Sequence, residues 1–167
     1  PGDPSILAAL MLNRVHLKPG QALSVPPGLM HSYLSGTGIE IMADSNNVVR
    51  GGLTNKHIDI DSLIQIVSFQ TQEPRIIAAE EVDPGMRVFP GIDDQFRLWQ
   101  LDLDTTCPAM MPASELARIL LITDGYAVCS GSHGTDEIVR GQAVWIPAGE
   151  RVRIDGDCDG FIAAAGL

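Results

Sequence analysis

A chain of 167 residues that is 45% hydrophobic and 19% charged has the composition of a globular protein with a core, which excludes a disordered polypeptide. A formal charge of −10 and a pI near 4.6 argue against a nucleic-acid partner, because phosphate backbones need a basic face, although a few local cations suffice for a small anion. Cys107, Cys129 and Cys158 are odd in number and lack C-x-x-C spacing, and neither a signal peptide nor a membrane-length apolar run is present, so a reducing, cytoplasmic setting without a membrane partner is expected.

In chain order, Asp3 followed by Pro4 predicts a helix start, and Ile6, Leu7, Leu10 and Met11 form an apolar stripe at helical spacing that ends near Asn13. Arg14 to Lys18 alternates polar with apolar and predicts a half-buried strand, closed by a turn at Pro19-Gly20. Gln21 to Val25 and Ile39 to Met42 predict further strands, and Asp59 predicts the cap of a second helix that carries Leu63, Ile64 and Val67 on one face. The polar stretch Gln70 to Arg75, with Pro74, is the best linker candidate. Beyond it, strands are expected at Met86–Phe89, Phe96–Leu101, Arg118–Thr123, Ala143–Ile146 and Phe161–Ala163. Asp155, Asp157 and Asp159 alternate around Gly156 and fail the EF-hand spacing, so they read as a solvated turn. Short strands between frequent turns predict a mostly β sandwich or jelly roll.

The spacing Gly20-x5-Pro26-x-Gly28 recurs as Gly141-x5-Pro147-x-Gly149 at an offset of 121 residues. Each copy reads as turn, strand, turn, and the third position after the last glycine is His31 in one and Val152 in the other. Two related β-rolls would produce this pattern, with a polar ligand in the first replaced by an apolar residue in the second.

Gly20-x5-Pro26-x-Gly28-x2-His31 is also the second half of the cupin signature, in which the histidine points into the barrel as a metal ligand. Around it stand Leu12-Asn13-Arg14-Val15-x-Leu17-x-Pro19-Gly20, then His31-Ser32-Tyr33-Leu34-Ser35-Gly36, Glu40-Ile41-Met42-Ala43, and Ser45 through Val48-Val49-Arg50-Gly51-Gly52-Leu53-Thr54-Asn55-Lys56. Together these resemble the type I mannose-6-phosphate isomerase family, a close match that continues through Asp59 to Phe69 and beyond that holds in outline. The resemblance implies a double cupin-like jelly roll (RmlC-like) with two short helices. Residues 1–69 would be the C-terminal part of the catalytic cupin domain, its roll incomplete in this chain, and residues 70–167 a second cupin-like domain without metal. With Pro1 in place of a starting methionine, a fragment is expected.

The same resemblance implies roles for single residues. His31 corresponds to the family's last zinc ligand; the others, a Gln-x-His pair and a Glu, lie on earlier strands, so one histidine would not hold Zn2+ tightly by itself. Arg50 corresponds to the catalytic arginine, whose guanidinium would stabilise the enediolate formed as a proton passes between C1 and C2. Lys56 either holds the sugar phosphate or orients an acid/base group; Asn55 stands where the family usually has proline. Glu40 is either an acid/base or a structural partner of Arg50 or Lys56, and Tyr33 either lines the cleft beside His31 or walls the core. Asn46 stands where aspartate is common, while His16, His57 and His133 match no ligand spacing. The expected activity of the whole protein is interconversion of mannose 6-phosphate and fructose 6-phosphate, with a small sugar phosphate as partner and a monomeric state. The competing reading is a non-enzymatic cupin that binds or senses a sugar phosphate.

Overall fold

The computed structural model describes residues 3–43, 48–91 and 95–166; Asn46 lies outside them. Among the described residues, two seven-residue helices, α1 (Ser5–Met11) and α2 (Ile60–Ile66), accompany ten strands. In order these are β1 (Gln21–Leu23), β2 (Ile76–Ala78), β3 (Glu80–Asp83), β4 (Met86–Val88), β5 (Phe96–Leu103), β6 (Ala109–Met111), β7 (Arg118–Gly131), β8 (Gly134–Val139), β9 (Ala143–Ile146) and β10 (Val152–Ala165). The chain is mostly antiparallel β with two short helices, as the sequence predicts.

Two 14-residue strands, β7 and β10, organise the roll. They pair along most of their length, and each serves two further partners: β10 meets β6 with one end and β5 with the other, while β7 meets β9 and then β8. Inward positions carry Leu101, Leu103, Leu120, Ile122, Ile146, Ile154 and Ile162, all almost fully buried in one cluster. A smaller cluster of Ile77, Phe89 and Leu98 lies with Phe161 and Ala163, and Ala22 of β1 packs against it. Strand β1 reaches this place by pairing with β2, so the polar stretch 70–75, exposed and without regular structure, is bridged by a two-stranded ladder.

The structure corrects two expectations. Arg14–Lys18 and Ile39–Met42 are not in strands, since neither finds a ladder partner among the described residues, and alternation without a partner leaves backbone groups to water. Asp155, Asp157 and Asp159 lie within β10, because Gly156 and Cys158 take the inward positions between them. A side chain at Gly156 would collide with Tyr126 O, and one at Gly125 with Asp157 O, so these glycines let β7 and β10 approach. The start of α1 is as expected: Pro4 already has helical backbone angles (φ −65°, ψ −19°), and the Asp3 carboxylate before it accepts the Ser5 N–H at 2.9 Å, as a capping aspartate does. The predicted cap of α2 is observed: the Asp59 carboxylate accepts Ser62 N–H at 3.1 Å and Ser62 Oγ–H at 2.6 Å.

All of the buried core lies from Ile77 onward; among the described residues before it, none is buried. The apolar stripe of α1 forms as a helix face yet stays exposed, with Leu10 at 78% and Met11 at 86%.

Candidate functional site

The repeat seen in the sequence is a repeat of backbone conformation. Gly20 and Gly141 have φ of 77° and 83°, and Gly28 and Gly149 both have 81°, a region open to glycine and costly to other residues. Equivalent turn bonds close each copy: Gln21 N–H donates to Lys18 O and Gln142 N–H to Val139 O, at 3.0 and 2.9 Å. Leu29 N–H donates to Pro26 O and Glu150 N–H to Pro147 O, both at 3.3 Å. In the second copy the next residue of interest, Val152, opens β10 and is buried in the roll. His31 holds the matching place in the first copy but is exposed.

His31 Nδ1–H donates to Leu29 O at 3.1 Å. That bond leaves Nε2 as the lone-pair nitrogen of the neutral ring, the arrangement in which histidine ligates metals. The ring of Tyr33 stands edge-on to His31 with centroids 6.0 Å apart. Its hydroxyl donates to Glu40 Oε1 at 3.0 Å. Desolvation first, then the hydrogen bond to Glu40 and its negative charge, raise the Tyr33 phenol above its usual pKa. His31, Tyr33 and Glu40 therefore form one group, although the chain between them carries no strand. Glu40 does not pair with Arg50 or Lys56 among the described residues; Tyr33 is its partner.

Arg50 and Lys56 lie on a second loop, exposed. Lys56 N–H is tied to Thr54 Oγ1 at 3.1 Å, and no described residue pairs with the charged end of either side chain. What fixes this loop is Asp3, whose role the sequence did not signal. Leu53 has φ of 50°, unusual for a branched side chain, and its N–H donates to Asp3 Oδ2 and Ser5 Oγ, each at 3.0 Å. Ser5 packs on Gly52, where any Cβ would strike it. The start of α1 thus pins the backbone that follows Arg50.

The donor set fits zinc as far as it goes: His31 presents an oriented, accessible imidazole. Among the described residues, however, no group of three His, Cys, Asp or Glu side chains converges to hold a metal ion. Of the histidines outside any motif, His16 and His57 are exposed and His133 contacts Glu150 at 3.0 Å, with Ser132 Oγ and N–H also donating to that carboxylate. This network braces the 131–134 hairpin tip against the 147–150 turn. No described helix is long and apolar enough to cross a membrane.

No protein-family model matches the sequence. Among curated proteins, mannose-6-phosphate isomerase of Escherichia coli (strain K12) is 34% identical over 154 residues, 90% of this chain and 38% of its own length. Mannose-6-phosphate isomerase 1 of Arabidopsis thaliana is 29% identical over 167 residues, 100% of this chain and 39% of its own. Among solved structures, mannose 6-phosphate isomerase from Salmonella typhimurium bound to substrate (f6p) and a zinc atom superposes with a TM-score of 0.62 at 28% identity, covering 75% of this chain and 32% of that one. The chain resembles mannose-6-phosphate isomerases over nearly all of its length and spans about 40% of theirs.

Proposed function

We propose that this chain forms the C-terminal part of a mannose-6-phosphate isomerase, a zinc-dependent enzyme that interconverts mannose 6-phosphate and fructose 6-phosphate. The observation that carries this reading is the tethered His31 imidazole joined through Tyr33 to Glu40, inside the block from Gly20 to Lys56 that resembles the family.

In this reading His31 Nε2 is one zinc donor, and the remaining donors come from the part of the relatives that this chain does not span. Zinc, when bound, supplies Lewis-acid charge beside the substrate oxygens. The chain's own residues supply the rest. Arg50 offers its guanidinium to the enediolate, and the Asp3–Leu53 tie holds the backbone of its loop in place. Lys56 offers the compact cation for the sugar phosphate. Glu40 is placed to carry a proton, and Tyr33 holds that carboxylate by donating to it.

The test is an isomerase assay coupled to detection of fructose 6-phosphate, run with metal analysis on the full-length protein and on these 167 residues. The full-length protein with zinc is expected to turn over mannose 6-phosphate, and the 167-residue chain to bind zinc weakly and to be inactive. A zinc-loaded full-length protein that binds the sugar phosphate without converting it would replace the enzyme by a sugar-phosphate-binding cupin.

A further inference from the structure

Away from His31, the outer face of the roll carries a cleft of about 370 Å³. It opens where β1 lands on the sheet. The Pro19-Gly20 turn forms one wall, and the floor is the paired positions Gln100 of β5 and Phe161 of β10. Two register steps along the same ladder, and so on the same face, Asp102 faces Asp159 at the rim. The volume falls within the range of small-molecule sites, and the place is a junction between elements, where such sites concentrate.

The lining chemistry narrows the ligand. Gln100 Oε1 is buried and has no hydrogen-bond partner among the described residues, so it is an acceptor that needs a donor. Asp159 and Asp102 add carboxylate acceptors. Arg87, the cleft's guanidinium, lies 3.6 Å from Asp102 and is neutralised there. The lining is thus rich in acceptors and negative in balance, which disfavours a phosphate or a carboxylate. A metal ion fits no better, since no three acidic, histidine or cysteine side chains among the described residues gather around a point. With Arg87 and Asp102 paired, one carboxylate is left to draw a cation, and the lining as a whole suits a neutral molecule with several hydroxyl donors and an apolar face to lie against the Phe161 ring. Thr123, the extra residue of the bulge opposite Asp159–Gly160, already donates its hydroxyl to Asp159 O at 3.2 Å, which leaves its oxygen to accept as well.

We propose that this cleft is a second binding site, for a neutral pyranose or similar polyol, whose hydroxyls donate to Gln100 Oε1 and the Asp159 carboxylate while one ring face packs on Phe161. The site shares no residue with the His31–Lys56 block. Because its wall is the Gly20 turn that leads through β1 to His31, occupancy would also steady the chain that presents that histidine.

The probe is methyl α-D-mannopyranoside, which carries no phosphate and has no free anomeric carbon to isomerise. Titrated into the 167-residue protein and followed by amide NMR, it is expected to shift Gly20, Leu101, Thr123 and Gly160 saturably, with a dissociation constant on the order of 1 mM. Asp159→Ala, at an exposed position, and Gln100→Leu should each weaken binding by about tenfold or more, the loss of one hydrogen-bonded partner in a site. Fructose 6-phosphate should move these amides less at equal concentration. The proposal fails if no saturable shift appears, if both variants bind as the parent does, or if calcium chloride moves the same amides in place of the sugar. Should Gln100→Leu not fold, Asp159→Ala alone decides.

Discussion

The Tyr33 hydroxyl lies 3.0 Å from Glu40 Oε1 across a loop with no ladder of its own, and the same ring stands edge-on to His31. One aromatic side chain thus connects the candidate zinc donor to the candidate proton carrier. In the full-length enzyme, Tyr33→Phe removes the donor and leaves the ring against His31. Zinc content should be retained while kcat/KM falls by about tenfold, roughly the worth of a hydrogen bond to a charged group. Glu40→Gln should lose more, and the double variant little beyond Glu40→Gln, since the two act as a unit. Steady-state kinetics on the four proteins measures the coupling; fully multiplicative losses would mean that the observed bond has no part in turnover.

Arg50 and His31 should separate chemistry from metal binding. Arg50→Ala in the full-length enzyme is expected to lower kcat by about 10²–10³-fold with zinc retained, the scale set by removing one donor from a developing oxyanion. His31→Ala should lose zinc and activity together. Asp3→Ala offers an indirect version: it leaves the Leu53 N–H with Ser5 Oγ alone and should lower kcat modestly without changing zinc content, because the loop after Arg50 loses one of its two ties. Metal analysis beside each assay distinguishes the three.

Much of this arrangement was legible in the sequence because the signals were local. The Asp59 cap needs only Ser62 three residues on, and the paired turns need only a glycine at each left-handed position. What the sequence hid depends on partners far along the chain. Gly156 lets β10 run close against β7, since Tyr126 O lies where a side chain would be, and that packing turns an apparent Asp-Gly turn into the middle of a strand. The Asp3–Leu53 tie spans 50 residues, and no local pattern announces it. Conversely, Arg14–Lys18 and Ile39–Met42 have strand periodicity but no paired neighbour among the described residues, so their pattern went unrealised.

The three thiols should react unequally. Burial pushes Cys129 and Cys158 up to about 11, and both are at most 6% exposed. Cys107 is only partly buried. Because the thiolate is the nucleophile, a disulfide reagent at pH 8 should titrate Cys107 in the native protein and all three cysteines only in denaturant. Mass spectrometry of the labelled peptides identifies the site, and fast native labelling of Cys129 would mean that the β7–β10 layer opens readily.

Helix α2 should carry an acid-sensitive cap. The Ser62 hydroxyl first, then the Ser62 N–H, hold the Asp59 carboxyl below its ordinary value of 3.8. A depressed pKa contributes stability above the unfolded value, and that contribution is lost as pH falls through the folded value, so the window lies below about pH 4. The Ser62 amide should shift upfield across this window as its acceptor protonates. Asp59→Asn keeps a neutral cap and should abolish that titration while α2 persists near pH 7.

The two copies of the turn allow backbone conformation to be weighed against packing at constant φ. Gly28 and Gly149 both sit at 81°, so alanine meets the same left-handed penalty of about 1–2 kcal/mol in each. Their surroundings differ. A Cβ at Gly149 has nothing within 4 Å, whereas one at Gly28 would lie 2.6 Å from Ile66 O, at the end of α2, whose following Ser68 N–H donates to Gly28 O at 2.9 Å. Gly149→Ala should therefore cost only the conformational term in urea unfolding of the roll. Gly28→Ala should in addition push α2 off the turn, shifting the amides of Ile66 to Ser68 and, through Leu29, the ring of His31. Because the described residues before Ile77 lie outside the buried core, Gly28→Ala should leave the roll's urea midpoint nearly unchanged even as those local signals move. Loss of the whole roll's stability on Gly28→Ala would show instead that the first copy of the turn and the core fold as a single cooperative unit.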